Sequence, residues 1–281
     1  MKTLVIGTGL IGGSFALSLS RSPSDYQLGG WDDNPQHLQE ALEANLVAKT
    51  FSSMEEGIRW AEAIILAVPI SAITELLPSL LDCMTEEQFV VDFGSTKSSI
   101  CSSVRQHKLR HRYLAAHPIA GTEYSGPRAA FATLYESKVM IVCEAEQADA
   151  EVLQSFEKMC ALSKMKMVYM EADEHDRHLA YISHLSHVVA YSLSHVVLQK
   201  EKDGDVILEL AGSGLASTVR LAKSSPEMWT PIFLDNKRPL MDGVGELQRS
   251  LTRLNDLIRD HDEAAVFEFL KEGRKIRKIL E

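Results

Sequence analysis

The first fourteen residues, Met-Lys-Thr-Leu-Val-Ile-Gly-Thr-Gly-Leu-Ile-Gly-Gly-Ser, constrain the fold more than any other stretch. Residues 3–6 are apolar or β-branched, the pattern of a strand buried on both faces. Gly7, Gly9 and Gly12 follow, and residues 10–19 continue with helical apolar spacing. A strand that turns into a helix at this spacing needs each glycine for its own reason. Gly7 permits the tight turn, Gly9 lets a ligand approach the backbone, and Gly12 lets the helix pack close to the strand. The helix start, at Leu10 and Ile11, presents unpaired N–H groups and the positive end of its dipole, which suits a pyrophosphate. A second strand, residues 26–31, ends in Asp32, placed for the ribose hydroxyls of a dinucleotide. A carboxylate there repels a 2′-phosphate, so NAD is expected over NADP. The plainer alternative is an ordinary α/β turn with a surface Asp32.

A chain of 281 residues is long enough for two domains. Its net charge of −10 speaks against wholesale binding to nucleic acid or anionic membrane, so an anionic substrate needs a local cationic cluster. Cys83, Cys101, Cys143 and Cys160 are scattered without paired spacing, the usage of reduced thiols in a cytoplasmic protein. The first strand starts at residue 3, which leaves no room for a signal peptide, and the apolar run 63–70 is far too short to span a membrane.

Strands and helices alternate through the first part. Strands are expected at 49–51, 63–68, 89–92, 112–116, 139–143 and 165–170, and helices at 34–44, 71–80, 97–106 and 149–162. Ser53 and Glu56 have the form of a capping box. The alternation predicts a parallel, doubly wound (Rossmann-type) α/β domain over residues 1–171. From residue 172 to 281 the pattern is all-helical, with helices expected at 173–197, 226–234, 242–259 and 263–279. The first of these is apolar on several faces. That fits a dimer interface or a helix buried within its own chain, and the sequence leaves both open. The basic stretch 271–278 reads as a solvated helix end that complements the dipole.

Ligands of a doubly wound sheet bind beyond the carboxyl ends of its strands, so the residues there define the candidate site. Val68 and Pro69 form a rigid turn able to wall the cofactor. Ser95 and His117 follow neighbouring strands and face the expected nicotinamide position. A histidine there can take a hydroxyl proton as hydride leaves the same carbon, provided one ring nitrogen is unprotonated. Ser95 can orient the imidazole or the substrate. The structural alternatives are a strand-capping His117 and a helix-capping Ser95. In the helical part, His184 and His187 lie one turn apart and share a face with Tyr191. Such a pair can bind a metal, but no third ligand is evident, so no metal is expected. Arg220 can fork onto a carboxylate or sit in a surface ion pair.

Five stretches taken together resemble the prephenate/arogenate dehydrogenases of tyrosine biosynthesis. They are Gly-Leu-Ile-Gly-Gly-Ser (9–14), Asp-Phe-Gly-Ser-Thr-Lys (92–97), His-Pro-Ile-Ala-Gly-Thr-Glu (117–123), Ser-His-Leu-Ser-His (183–187) and Ser-Pro-Glu-Met-Trp (225–229). The resemblance runs in order over nearly the whole chain. It implies a dinucleotide-binding domain followed by a helical dimerisation domain, hence a homodimer. The implied reaction is NAD-dependent oxidative decarboxylation of prephenate to 4-hydroxyphenylpyruvate. By the same resemblance His117 is the base, Ser95 supports it or the 4-hydroxyl, and Arg220 clamps a substrate carboxylate. His187 stands near the side-chain end, and Thr122 and Glu123 belong to the loop closing the pocket. The family commonly carries an acid in the run before the arginine, where this chain has Ser217, so an ion-pair network joining Glu123, that acid and Arg220 is incomplete. With no mutase or regulatory segment evident, the chain reads as monofunctional. Arogenate as substrate, or a non-catalytic dinucleotide sensor, are the alternatives.

Overall fold

The computed structural model describes residues 1–21, 26–202 and 208–280. Among them, β1 (Lys2–Ile6), β2 (Gln27–Trp31), β3 (Lys49–Thr50), β4 (Ala63–Leu66), β5 (Phe89–Asp92), β6 (Tyr113–Ile119), β7 (Val139–Cys143) and β8 (Lys166–Met170) form one sheet in the order β3-β2-β1-β4-β5-β6-β7-β8. Helices α1 (Leu10–Ser20), α2 (Pro35–Glu43), α3 (Met54–Trp60), α4 (Ile70–Cys83), α5 (Ser98–Ser103) and α6 (Ala150–Leu162) belong to this α/β layer. Two apolar clusters pack around the sheet. Phe15, Leu114 and Phe156 belong to one, and Ile64, Leu80 and Ile100 to the other. Burial on both faces explains why β1, β4 and β5 are continuous apolar runs rather than alternating ones.

The sheet departs from the expected all-parallel order at one place. β6 and β7 are antiparallel, with His117 opposite Ile141 and Ile119 opposite Val139. The connection 120–138 holds only the short 3₁₀ turn Pro127–Ala129, not the helical crossover a parallel return requires. It docks on α1 instead, where Phe131 N–H donates to Ser14 Oγ at 3.0 Å and Tyr135 O–H to Ile11 O at 2.6 Å. The pairing has a local consequence. β6 does not stop before His117 but runs on to Ile119, while its parallel neighbour β5 ends at Asp92, opposite Ala115. His117 is therefore held inside a strand at the carboxyl edge of the sheet.

Smaller differences have local causes. The Ser53 hydroxyl accepts from Glu56 N–H, but the Glu56 carboxylate returns to Ser52 rather than closing the box on Ser53. α4 continues through Pro78 to Cys83, and α5 is shorter than expected.

The helical half contains α7 (Ala172–Leu179), a π-helical turn (Ala180–His184), α8 (Leu185–Lys202), α9 (Ser213–Thr218), α10 (Pro226–Asp235), α11 (Lys237–Arg259) and α12 (Glu263–Gly273). α11 begins five residues earlier than its periodicity suggests, because Pro239 falls in the first turn, where no N–H is missed. The last expected helix breaks after Gly273 into a 3₁₀ turn. The chain exposes 15603 Å². A compact monomer of this mass exposes about 12,000 Å². Much of the apolar exposure is on the helical half, where Leu234, Met241, Leu251, Ile258, Phe267 and Leu270 face outward. On α8, Val196 and Leu198 are also exposed, so its own chain does not cover that flank. No helix among the described residues is long and apolar enough to cross a membrane.

Candidate active site

The glycine turn is built as its spacing requires. Gly7 has φ +90°, and a Cβ there would lie 2.5 Å from Ala67 O and 2.9 Å from Val68 Cγ1. A Cβ at Gly12 would come within 2.1 Å of Gly7 O, so helix and strand approach as closely as only glycine allows. At Gly9, the N-cap of α1, a Cβ would meet nothing within 4 Å. That open space lies before the helix N-terminus, where a pyrophosphate binds. Asp32 is bound back to the same turn. Its Oδ2 accepts from Thr8 N–H at 2.9 Å and from the Thr8 hydroxyl at 3.1 Å, and its Oδ1 accepts from Asn34 N–H at 3.1 Å. Pro69 caps α4 next to Val68. Gly7, Gly9, Leu10, Ile11, Gly12, Asp32, Val68 and Pro69 thus share one edge of the sheet, and the set fits a dinucleotide.

Two strands along, the edge carries a buried ionic core. The Lys97 ammonium pairs with Asp92, both fully buried, and also donates to Ala116 O at 2.7 Å. Asp92 further accepts from Tyr113 O–H at 2.7 Å and from Gly94 N–H at 2.8 Å. These bonds fix the loop that carries Ser95 against the strand that carries His117. Ser95 is partly buried, and its hydroxyl has no hydrogen-bond partner among the described residues. Nor does Ser95 cap α5, whose N-cap is Lys97.

His117 Nδ1 lies 2.8 Å from Nε2 of His175, and His175 Nδ1 lies 2.8 Å from Asp176 Oδ1. The Asp176 carboxylate also accepts from Lys97 N–H at 2.8 Å and Ser98 N–H at 2.9 Å, capping α5 from α7. Burial, followed by the neighbouring His175, Lys97 and His184, holds His117 well below the ordinary imidazole range. Its ring is therefore neutral at pH 7. Burial also lowers His175, against the pull of Asp176. Burial opposes the Asp176 charge, but the hydrogen bonds from His175 and Ser98 outweigh it and keep the carboxyl below its usual range.

The helical half closes on this edge. Asp235 of α10 accepts from the hydroxyls of Thr96 and Ser99. Asn236 donates to Asp176 O at 2.7 Å and stands 3.0 Å from His184 Nδ1. Burial brings His184 down to about 4. Its ring meets the indole of Trp229 edge-on at 5.9 Å, while His187 stacks on the same indole at 3.4 Å between centroids. His187 Nδ1 is 3.1 Å from Ser183 O, and its pKa is lowered by burial and by the nearby Arg220 cation. Both imidazoles of the expected pair are thus engaged with the indole. The Trp229 indole N–H is buried without a partner among the described residues. Tyr191, one turn past His187, donates to Ser224 O at 2.6 Å.

Arg220 is exposed, as are Thr122 and Glu123 on the loop after β6. The Thr122 hydroxyl accepts from Tyr124 N–H at 3.2 Å within its own turn, and Ser217 Oγ donates to Gly214 O at 2.9 Å. No ion pair joins Glu123 to Arg220 among the described residues. His184 and His187 both meet Trp229, and electrostatic influence reaches from His184 to His117 and from Arg220 to His187 across the two halves.

Sequence reading missed His175, Asp176, Asn236 and Thr8. A signal existed for the first two: Ala172, His175, Asp176 and Leu179 occupy one helical face, and all are buried. Polar residues on a core-facing stripe mark a site or a satisfied network.

Residues 15–169 match the family profile described as "Prephenate dehydrogenase, nucleotide-binding domain", and residues 171–272 match "Prephenate dehydrogenase, dimerization domain". The prephenate dehydrogenase of Bacillus subtilis is 28% identical over 98% of this chain and 74% of its own length. The cyclohexadienyl dehydrogenase of Zymomonas mobilis is 27% identical over 98% of this chain and 94% of its own. The crystal structure of prephenate dehydrogenase from A. aeolicus in complex with hydroxyphenyl propionate and NAD+ superimposes with a TM-score of 0.93 at 29% identity, covering 100% of this chain and 98% of that one. Synechocystis arogenate dehydrogenase gives 0.82 at 27% identity, covering 100% of both chains. With a nucleotide-binding sheet and an all-helical dimerization domain matched in order, this chain is an NAD(P)-dependent dehydrogenase belonging to the prephenate dehydrogenase family.

Proposed function

We propose that the chain oxidises prephenate with NAD, releasing CO2 and 4-hydroxyphenylpyruvate. The observation that carries the reading is His117: a neutral, partly exposed imidazole at the sheet edge, within electrostatic range of His184, while Arg220 acts in the same way on His187. Gly7, Gly9 and Gly12 hold the cofactor pyrophosphate, Asp32 the adenosine ribose, and Val68 and Pro69 wall the turn. When bound, the nicotinamide takes the hydride from the ring carbon that bears the hydroxyl. His117 Nε2 accepts the hydroxyl proton, and Ser95, with its hydroxyl unspent, orients that oxygen. Arg220 binds a substrate carboxylate opposite the base. The C–CO2 bond breaks and its electron pair completes the aromatic ring, so the protein has mainly to position the groups. Thr122 and Glu123 lie on the loop able to close over the pocket.

Prephenate is favoured over arogenate by the charges at the helical end. The ammonium of arogenate needs an anionic partner, and Ser217 stands where the family resemblance leads one to expect an acid, three residues before the Arg220 guanidinium. NAD is favoured over NADP because Asp32 would face a 2′-phosphate. The working form is a homodimer through the helical half. The exposed apolar flanks of α8, α11 and α12 support this, as does the surface in excess of a compact monomer. The buried, unpaired Cys101, Cys143 and Cys160 suit the cytoplasm.

The test is absorbance at the reduced-nicotinamide band with prephenate and arogenate, each with NAD and NADP. Prephenate with NAD is expected to be fastest. Faster turnover of arogenate refutes the substrate assignment, and faster turnover with NADP refutes the role of Asp32. A further expectation concerns Arg220→Ala. Removing one partner of a hydrogen-bonded charge pair costs at least about 2 kcal/mol, so the prephenate KM should rise about 30-fold or more. A KM within twofold of the wild type excludes the clamp.

A further inference from the structure

We infer that His175 and Asp176 are positioning residues that set the proton on His117, forming a three-group relay Asp176–His175–His117. The inference rests on the functional reading above and adds the groups that prepare its base. His117 can accept a proton on Nε2 only if its own proton sits on Nδ1. Nothing intrinsic to imidazole guarantees that arrangement; a hydrogen-bond partner has to select it.

The geometry makes the selection in two steps. Asp176 stays ionised, because it accepts from the backbone N–H groups of Lys97 and Ser98 at 2.8 and 2.9 Å. A carboxylate can only accept, so the facing His175 Nδ1 at 2.8 Å must carry a proton. A neutral His175 then has a bare Nε2, which can only accept. At 2.8 Å from it, His117 Nδ1 has to donate. The lone pair of His117 is thereby left on Nε2, which has no partner among the described residues. When Nε2 takes the substrate proton, the new positive charge is met by the His175 lone pair and, behind it, the buried carboxylate. His175 is completely buried, so water cannot substitute for it. The relay also crosses the two halves of the chain. Asn236 binds Asp176 O, which ties α10 to the same helix turn.

Two readouts test the relay in the full-length protein. The first is independent of substrate: the His117 tautomer read from imidazole nitrogen chemical shifts by NMR. Wild type and His175→Gln, whose amide oxygen still accepts, should show the Nδ1–H form. His175→Leu should show a mixture. The second is kinetic, with prephenate and NAD. General-base catalysis is worth about 100-fold or more, so His175→Leu should lose about that much in kcat, with KM within about threefold. His175→Gln should keep kcat within about tenfold of the wild type.

Asp176→Asn should lower kcat and move the acid limb of its pH profile to lower pH, because an anion that favours the imidazolium is gone. The other charged or titratable groups facing the His117–His175 pair are Lys97, His184 and Asp92, all unchanged in that variant. A purely structural role predicts equal losses in the Gln and Leu variants and an unmoved limb, and that result overturns the relay. So does an unchanged His117 tautomer in His175→Leu. If the wild type turns over neither substrate while the tautomer pattern holds, the functional reading fails, and what stands is the selection of the His117 tautomer by His175 and Asp176.

Discussion

His117→Asn should abolish most turnover while leaving NAD binding intact. Asparagine is similar in size and its amide can still reach His175, so the strand and the buried network beneath it are preserved. It has no site that can take a proton at neutral pH. Loss of a positioned general base costs about 10²–10⁴ in kcat. The glycine turn and Asp32 hold the cofactor at other strands, so NAD affinity, measured by fluorescence or calorimetry, should stay within a few-fold. Retention of more than a tenth of the wild-type kcat removes His117 as the base. The pH dependence of the wild type carries a sign as well. Burial first, then the neighbouring His175 and the Lys97 cation, depress the His117 pKa below the ordinary 6.5, so the base stays unprotonated as the pH falls through that value. The acid limb of kcat should therefore lie below the range of a free histidine.

Lys97→Met should be the most damaging single change to stability. Lys97 and Asp92 are both fully buried and paired. Methionine fills the space of the lysine stem but leaves the Asp92 carboxylate in the core with only Tyr113 O–H and Gly94 N–H. Breaking a buried pair from one side costs about 3–5 kcal/mol, most of it the burden of an uncompensated charge. The shift in the chemical denaturation midpoint measures it. Exchanging both residues, Lys97→Met with Asp92→Leu, should recover part of the loss, because no lone charge remains. A loss below about 1 kcal/mol in the single variant contradicts the burial argument. The Lys97 bond to Ala116 O, one residue before His117, makes this ionic core the floor of the site.

The fold was largely legible because its signals are local. A glycine turn after an apolar strand, alternating strand and helix patterns, and a change to pure helical spacing near residue 172 all follow from neighbours in sequence. The direction of β7 was not legible: strand periodicity is the same for parallel and antiparallel pairing, and only the missing crossover helix in 120–138 hinted at the reversal. The site divides in the same way. Ser95 and His117 could be proposed because strand ends are where α/β ligands bind. His175 and Asp176 show in the sequence only as polar residues on a core-facing stripe, since their significance lies in a hydrogen bond to a residue 58 positions away. Trp229, quoted only within a motif, shows its role once His187 is seen stacked on it. Thr96 and Asp235 meet across 139 positions, a separation no local pattern encodes.

Residues 172–202 form a continuous rod in which five residues are wound more loosely than the rest. That loose turn shifts the helical phase, so the residues before and after it face different neighbours. Before the turn, His175 and Asp176 back His117; at its end and just after it, His184 and His187 meet the indole of Trp229. On the proposed mechanism, one continuous helix therefore ties the His187 side of the substrate pocket to the alignment of the proton acceptor. Substitutions at His175 and His187 should therefore couple rather than add.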